Sequence, residues 1–250
     1  EYFSGMLLLN DNQYNSSLKY LKKLNGLEKS HINYSIKYLY SLINSGNFKE
    51  AFNYSIKLEK QKLDSFESDL ISGIFHLKNS NNNLAKKYFL KAKNRNSRFI
   101  LNNYVSSSLY NWSTLNDLTQ AESNLKKLDN RFENFKKIQN IFLNCFFESP
   151  KTDYLFTELT SNQNTDFSRY NYFYASYASS KGNFQDAKKI IVFALNLHPR
   201  NLLLNQYKID LKENKNILIF DCKKSTDVVA EILYITANAL SSQSLYSLSN

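Results

Sequence analysis

Apolar residues recur along this chain at helical spacing, in stretches separated by short polar turns. Ile32, Ile36, Leu39, Tyr40 and Ile43 predict a helix over about 31–45, and Phe48, Phe52, Ile56 and Leu58 a second over about 48–61. The turn between them begins the phrase Gly46-Asn47-Phe48-Lys49-Glu50-Ala51. Gly46 can take a positive φ where the first helix stops, and Asn47 can cap the second. A near-copy, Gly182-Asn183-Phe184-Gln185-Asp186-Ala187, follows later, and weaker relatives place their small residue at Ser17, Ala85 and Ala121. The steps from Ser17 to Ala51 and from Ala51 to Ala85 are 34 residues, and that from Ala85 to Ala121 is 36.

With Ala51 at position 20 of a 34-residue unit, the next unit has Gly73 at position 8, Ala85 at 20, Phe89 at 24 and Ala92 at 27. Small residues at 8 and 20 let the two helix backbones approach closely. The unit from about 168 repeats this with Ala175, Ala187, Ala194 and Pro199, and a truncated first unit has Gly5, Tyr14, Leu21 and Leu24. A fourth runs from about 102 and carries Trp112, Ala121, Leu125 and Leu128. Between 134 and 166 the pattern degenerates to two helical stretches, Phe135–Phe147 and Thr152–Leu159, around Ser149-Pro150. The 66 residues between Ala121 and Ala187 leave room for two units there. Beyond Pro199 the register breaks: a helix over about 202–213, an irregular connection over 213–225, then a helix from Thr226 or Asp227 to about Ser242.

Period, Gly-Asn turn and small-residue positions together resemble the tetratricopeptide repeat family over nearly the whole chain. The resemblance implies an all-α, right-handed α-solenoid of antiparallel helix pairs. Its expected organisation is an array over 1–200 of about five to six units with the degenerate one at 134–166. A single helix with an irregular connection follows over 201–225, and a further truncated unit starts at 226–250. It also implies that the first helices line a concave groove taking extended peptides or partner helices.

Positions 5 and 9 of the first helices should face that groove. They are Tyr2, Ile36, Tyr40, Leu70, Ile74, Ser106, Tyr110, Tyr172, Ser176, Tyr234 and Asn238. The row is rich in Tyr, which gives large amphipathic contact area with few rotatable bonds. Family members that grip a C-terminal carboxylate use Lys at position 5 and Asn at 9. Here position 5 is never Lys and Asn238 alone is an Asn at 9, so a chaperone co-factor role is disfavoured.

The formal net charge of +10 suggests an acidic partner at first sight. However, the lysines cluster in pairs on second helices, at Lys22-Lys23, Lys86-Lys87, Lys126-Lys127 and Lys188-Lys189, where a solvated outer face is expected. Abundant Asn, Lys, Ile and Tyr with a single Met also match the drift of an AT-rich genome. A hydrophobic content of 42%, with 18 Phe and 18 Tyr, is ample for a core, while only 5 Gly and 2 Pro favour long helices.

No catalytic pattern is present. His31, His76 and His198 are scattered without carboxylates or thiols at ligand spacing, so no metal and no cofactor is expected. There is no G-x-S-x-G, Gly-rich phosphate loop or H-E-x-x-H. Cys145 and Cys222 are too few for a disulfide scaffold and lack C-x-x-C spacing. No apolar run approaches the ~18 residues of a membrane span.

The chain reads as an excerpt of a longer bacterial repeat protein, since it opens inside a helical pattern and stops after another has begun. The segment Ser225 to Ser244 is similar to long repeat proteins of alphaproteobacteria. That likeness implies export to the bacterial cell envelope or periplasm, with the cytoplasm as the alternative. The reading is a non-enzymatic protein-interaction scaffold binding a peptide or partner helix. The alternatives are a nucleic-acid or anionic-surface binder acting through Lys-rich outer helices, and an accessory repeat domain of a larger enzyme or envelope assembly.

Overall fold

The computed structural model describes residues 1–95, 99–162, 165–213 and 220–242. It divides into two compact units, Glu1–Thr114 with Ala237–Asn250, and Leu115–Thr236. The described residues form fourteen α-helices and no strand.

The first unit holds α1 (Tyr2–Asn10), α2 (Tyr14–Leu21), α3 (Ile32–Asn44), α4 (Phe48–Lys60), α5 (Phe66–Lys78), α6 (Asn82–Lys93) and α7 (Ile100–Trp112). Each helix packs on the next in the chain. Small residues at the crossings make this possible. Ala51 and Ala85 have no exposed surface. Ser17, buried at the equivalent position of α2, donates its hydroxyl to the Gly5 carbonyl of α1 at 2.7 Å. Between α5 and α6 the Phe89 ring lies close against Gly73, where a Cβ would stand 2.4 Å from its Cε1. Tyr34, Tyr38, Leu39 and Leu42 of α3 fill the core with Leu21 and Leu58.

The second unit holds α8 (Leu118–Lys126), α9 (Glu133–Phe146), α10 (Thr152–Thr160), α11 (Ser168–Ser180), α12 (Phe184–Leu197) and α13 (Leu202–Lys212), with most of α14 (Ser225–Ser242). Ala175 and Ala187 are again fully buried between α11 and α12. Phe142 of α9, Phe173 of α11 and Phe220 form an aromatic cluster, with Phe220 4.8 Å from Phe142 and 4.5 Å from Phe173 between centroids. Helices α9 and α10 occupy the stretch where the sequence pattern fades. Of the connection expected over 213–225, residues 214–219 lie outside the described residues.

The backbone keeps the period better than the side chains do. The turn from first to second helix places one residue at positive φ: Asn12 (57°), Gly46 (74°), Ser80 (59°), Glu148 (54°) and Gly182 (80°). These numbers advance by 34, 34, 68 and 34, the third being two periods. At each of these turns the following amide donates five residues back, as Gln13 to Leu8, Asn47 to Leu42, Asn81 to His76, Ser149 to Asn144 and Asn183 to Ala178, at 2.8–3.0 Å. This is the Schellman closure, which satisfies carbonyls that the helix end leaves open.

One expectation needs correction. Cys145 and Cys222, too sparse to read as a framework, are joined in a disulfide across 77 residues of sequence. It ties the end of α9 to the stretch leading into α14.

Candidate functional site

The site expected from repeat register is a row of side chains on first helices, and each unit treats it differently. In the first unit Tyr2, Ile36, Tyr40, Leu70, Ile74 and Tyr110 lie on α1, α3, α5 and α7, and all six are half-buried. One side of each is packed and the other is open to water. The tyrosine rings are braced by neighbours: Tyr2 lies 4.9 Å from His31, Tyr40 meets Tyr14 edge to face at 6.0 Å, and Lys93 Nζ sits 4.8 Å from the Tyr110 centroid. Ser106, read as a groove position of α7, is fully buried and bonds back to the Asn102 carbonyl at 2.7 Å.

In the second unit the row does not reach the surface at α11. Tyr172 and Ser176 are each only 2% exposed. Tyr207 of α13 lies over this face, its ring 4.8 Å from that of Tyr172. The helix after the last regular pair therefore covers the positions expected to be open. On α14, Tyr234 is 46% exposed and Asn238 is also exposed.

Tyr234 is held by a feature the sequence gives no sign of. Arg169, in the first turn of α11, donates from Nε and Nη2 to the two oxygens of Glu231 on α14 at 3.0 and 2.8 Å. Tyr170 adds its hydroxyl to the same carboxylate at 3.3 Å. The guanidinium is flanked by the rings of Phe173 and Tyr234, at 5.1 and 4.4 Å. Burial works against the Arg169 charge, yet the hydrogen bonds and charge of Glu231 hold its pKa above the ordinary value. The fork-to-fork geometry orients α14 against α11. Because 62 residues separate the partners, no local spacing announces the pair.

A second charged cluster lies in the first unit. Lys91 reaches Asp64, Glu59 and Asp69 at 2.9, 3.0 and 3.4 Å, Arg95 pairs with Asp69 and Asp64, and Tyr88 donates to Glu59 at 2.7 Å. Burial pushes the Asp69 carboxyl up despite Arg95 and Lys91. Burial also raises Asp64 and Glu59, but there the opposing contacts win, Lys91 and Arg95 at Asp64 and Tyr88 and Lys91 at Glu59, and both end below the ordinary range. Every carboxylate here is engaged, so the arrangement is that of a structural clasp between α4, α5 and α6.

The paired lysines behave differently. Lys86, Lys87, Lys126, Lys127, Lys188 and Lys189 are exposed. His76 is not among the open groups: its ring stacks on Tyr88 at 5.5 Å and meets Phe52 edge-on, and burial lowers its pKa. Among the described residues no cluster of three or more His, Cys, Asp or Glu could hold a metal ion. No described helix is long and apolar enough to cross a membrane.

Helix pairs closed by one turn on a 34-residue step, with small residues at their crossings, define this architecture. It is an all-α array of the tetratricopeptide type. No family model matches the sequence, and a search of curated proteins finds no match. Among solved structures, a thermophilic tetratricopeptide protein of Thermus thermophilus is similar over 73% of this chain and 100% of its own, with 17% identity and a TM-score of 0.48.

Proposed function

We propose that this chain is a non-enzymatic interaction scaffold that binds a polypeptide, as an extended segment or a helix, along the first-helix face of its first unit. The observation that carries the reading is the set Tyr2, Ile36, Tyr40, Leu70, Ile74 and Tyr110, half-buried at repeat-equivalent places on α1, α3, α5 and α7. Half-buried, braced tyrosines offer contact area at low entropic cost, because their rotamers are already restricted before a partner arrives. A row spread over four helices suits a ligand that meets one repeat after another.

The test is capture of partners by the whole chain, repeated with Tyr40→Ala/Tyr110→Ala and with Lys86→Glu/Lys87→Glu. Loss of about 1–2 kcal/mol or more per central Tyr is expected, with little change from the lysine pair. The opposite result favours the Lys-rich outer helices as an anionic-surface or nucleic-acid footprint. Binding would then fall steeply with salt, by roughly 10³-fold between 50 and 200 mM for about six phosphate contacts.

We further propose an oxidising compartment, such as the bacterial cell envelope or periplasm, as the place of work. A disulfide between buried cysteines supports this, since thiols in the cytosol are kept reduced. Alkylation of unreduced protein taken from its native source tests it: modification of Cys145 and Cys222 without prior reduction would count against export.

A further inference from the structure

The second unit contains a cavity of about 260 Å³ between the end of α9, α10, α11 and the stretch 220–223. Its wall includes the Cys145–Cys222 disulfide, and its interior is aromatic, lined by Phe156, Phe173, Phe220 and Tyr177. All four are at least nine-tenths buried. The Tyr177 and Ser176 hydroxyls, both in the lining, have no hydrogen-bond partner among the described residues. An unpaired buried hydroxyl is costly, and structures usually satisfy it with protein, water or a ligand.

The rim carries two cations, Lys181 and Lys223, and two carboxylates, Glu148 and Asp221, so the mouth has no net charge. Lys223 and Glu148 are already paired with each other. Lys181 Nζ lies 4.4 Å from the Tyr177 ring centroid, engaged with its face. The mouth therefore offers a charged ligand no net attraction. A flat, uncharged ring would find aromatic walls and two hydroxyls, of Tyr177 and Ser176, without a hydrogen-bond partner. A dry cavity of roughly 150 Å³ already admits benzene, so this one has space for a ring with a polar substituent.

We infer that this cavity is a binding site for a single uncharged aromatic ring bearing one hydrogen-bonding group, of the phenol or indole kind. The ring could belong to a free small molecule or to a Tyr or Trp side chain of a bound polypeptide; the chemistry is the same. The inference goes beyond the scaffold reading and stands apart from it, because none of the cavity residues belongs to the first-unit row. Failure of one leaves the other untouched.

Calorimetry and ligand-observed NMR on the whole oxidised chain, with p-cresol and toluene as probes, test it. Saturable p-cresol binding is expected, about 3- to 10-fold tighter than toluene, the worth of one neutral hydrogen bond. Tyr177→Phe/Ser176→Ala should erase that preference while leaving toluene binding in place. Ser180→Trp, at the exposed rim, should block both probes, with circular dichroism confirming that both variants are folded. Absence of saturable binding by the folded parent overturns the inference. So does a p-cresol preference that survives Tyr177→Phe/Ser176→Ala, or binding that survives Ser180→Trp. Competition by acetyl-Gly-Tyr-Gly-amide supports the site and assigns the ring to a polypeptide; p-cresol binding without such competition supports it and assigns the ring to a free molecule.

Discussion

Replacing Gly73 with Ala should destabilise the first unit, although the same change in most helix interiors does the reverse. A methyl group at this position would stand 2.4 Å from Phe89 Cε1 and 2.5 Å from Cδ1. Nonbonded carbons prefer about 3.5–4.0 Å, so roughly 1 Å of separation must be found. Phe89 has no exposed surface, so its ring cannot swing into solvent, and relief requires α5 and α6 to part or the ring to leave its rotamer. Overpacking of this kind costs about 1–3 kcal/mol. Against it stands a gain of roughly 1 kcal/mol from exchanging Gly for Ala within a helix. A net loss of up to about 2 kcal/mol follows. Gly5 is a milder case: its Cβ would meet Leu21 Cδ2 at 2.8 Å and Cγ at 3.0 Å, and Leu21 has no exposed surface either. Gly5→Ala should therefore cost less than Gly73→Ala. Urea unfolding followed by far-ultraviolet circular dichroism measures both. The cycle with Phe89→Leu isolates the clash, and the double variant should recover about 1 kcal/mol relative to the sum of the single changes. A Gly73→Ala variant more stable than its parent, or a cycle without coupling, would refute the close approach of these helices.

Three further outcomes are expected. Ser80, exposed and held at φ 59°, can be replaced with Gly to relieve left-handed strain, raising stability by about 0.5–1 kcal/mol in the same urea assay. Cys145→Ala/Cys222→Ala should cost the second unit about 2–4 kcal/mol, because the bond closes a loop of 77 residues; reductant should mimic the change in the parent and do nothing to the variant. In acid, Glu28, Glu59 and Asp64 have folded pKa values below their unfolded ones, Glu28 because Lys57 outweighs its burial. Their contribution is complete above the unfolded carboxylate range near pH 4 and is lost as pH falls through the folded values, while Asp69, shifted upward, opposes the trend. A thermal midpoint that does not fall between about pH 5 and 2.5 would contradict this sign.

Where packing depends on residue size, the sequence shows it. Ala51, Ala85, Ala175 and Ala187 stand out because a helix crossing tolerates nothing larger, and each is fully buried. The helix-pair architecture followed from those positions. The turns were harder to see. Gly46 and Gly182 betray theirs, but Asn12, Ser80 and Glu148 make the same left-handed turn with other side chains. There the backbone hydrogen bonds set the conformation and the residue type only adjusts its cost, so the stretch around Glu148 looked degenerate. The row of groove positions followed from register alone, and register does not say what a later helix will cover. Tyr172 and Ser176 were lost to that, under Tyr207. The Arg169–Glu231 pair and the disulfide link residues 62 and 77 apart, and distance in sequence hides such contacts from any local pattern.

The disulfide also changes how the molecule would carry a load. Tension applied at its two ends would run along the backbone to Cys145, cross the sulfur–sulfur bond and continue from Cys222. Everything between, including α10, α11, α12 and α13, would hang as a slack loop outside the force path. At about 3.3–3.6 Å per extended residue, that hides roughly 250 Å of contour length. A single oxidised molecule stretched to its limit would thus stop short of a reduced one by that amount, and the helices shielded within the loop could stay folded while their neighbours are drawn out.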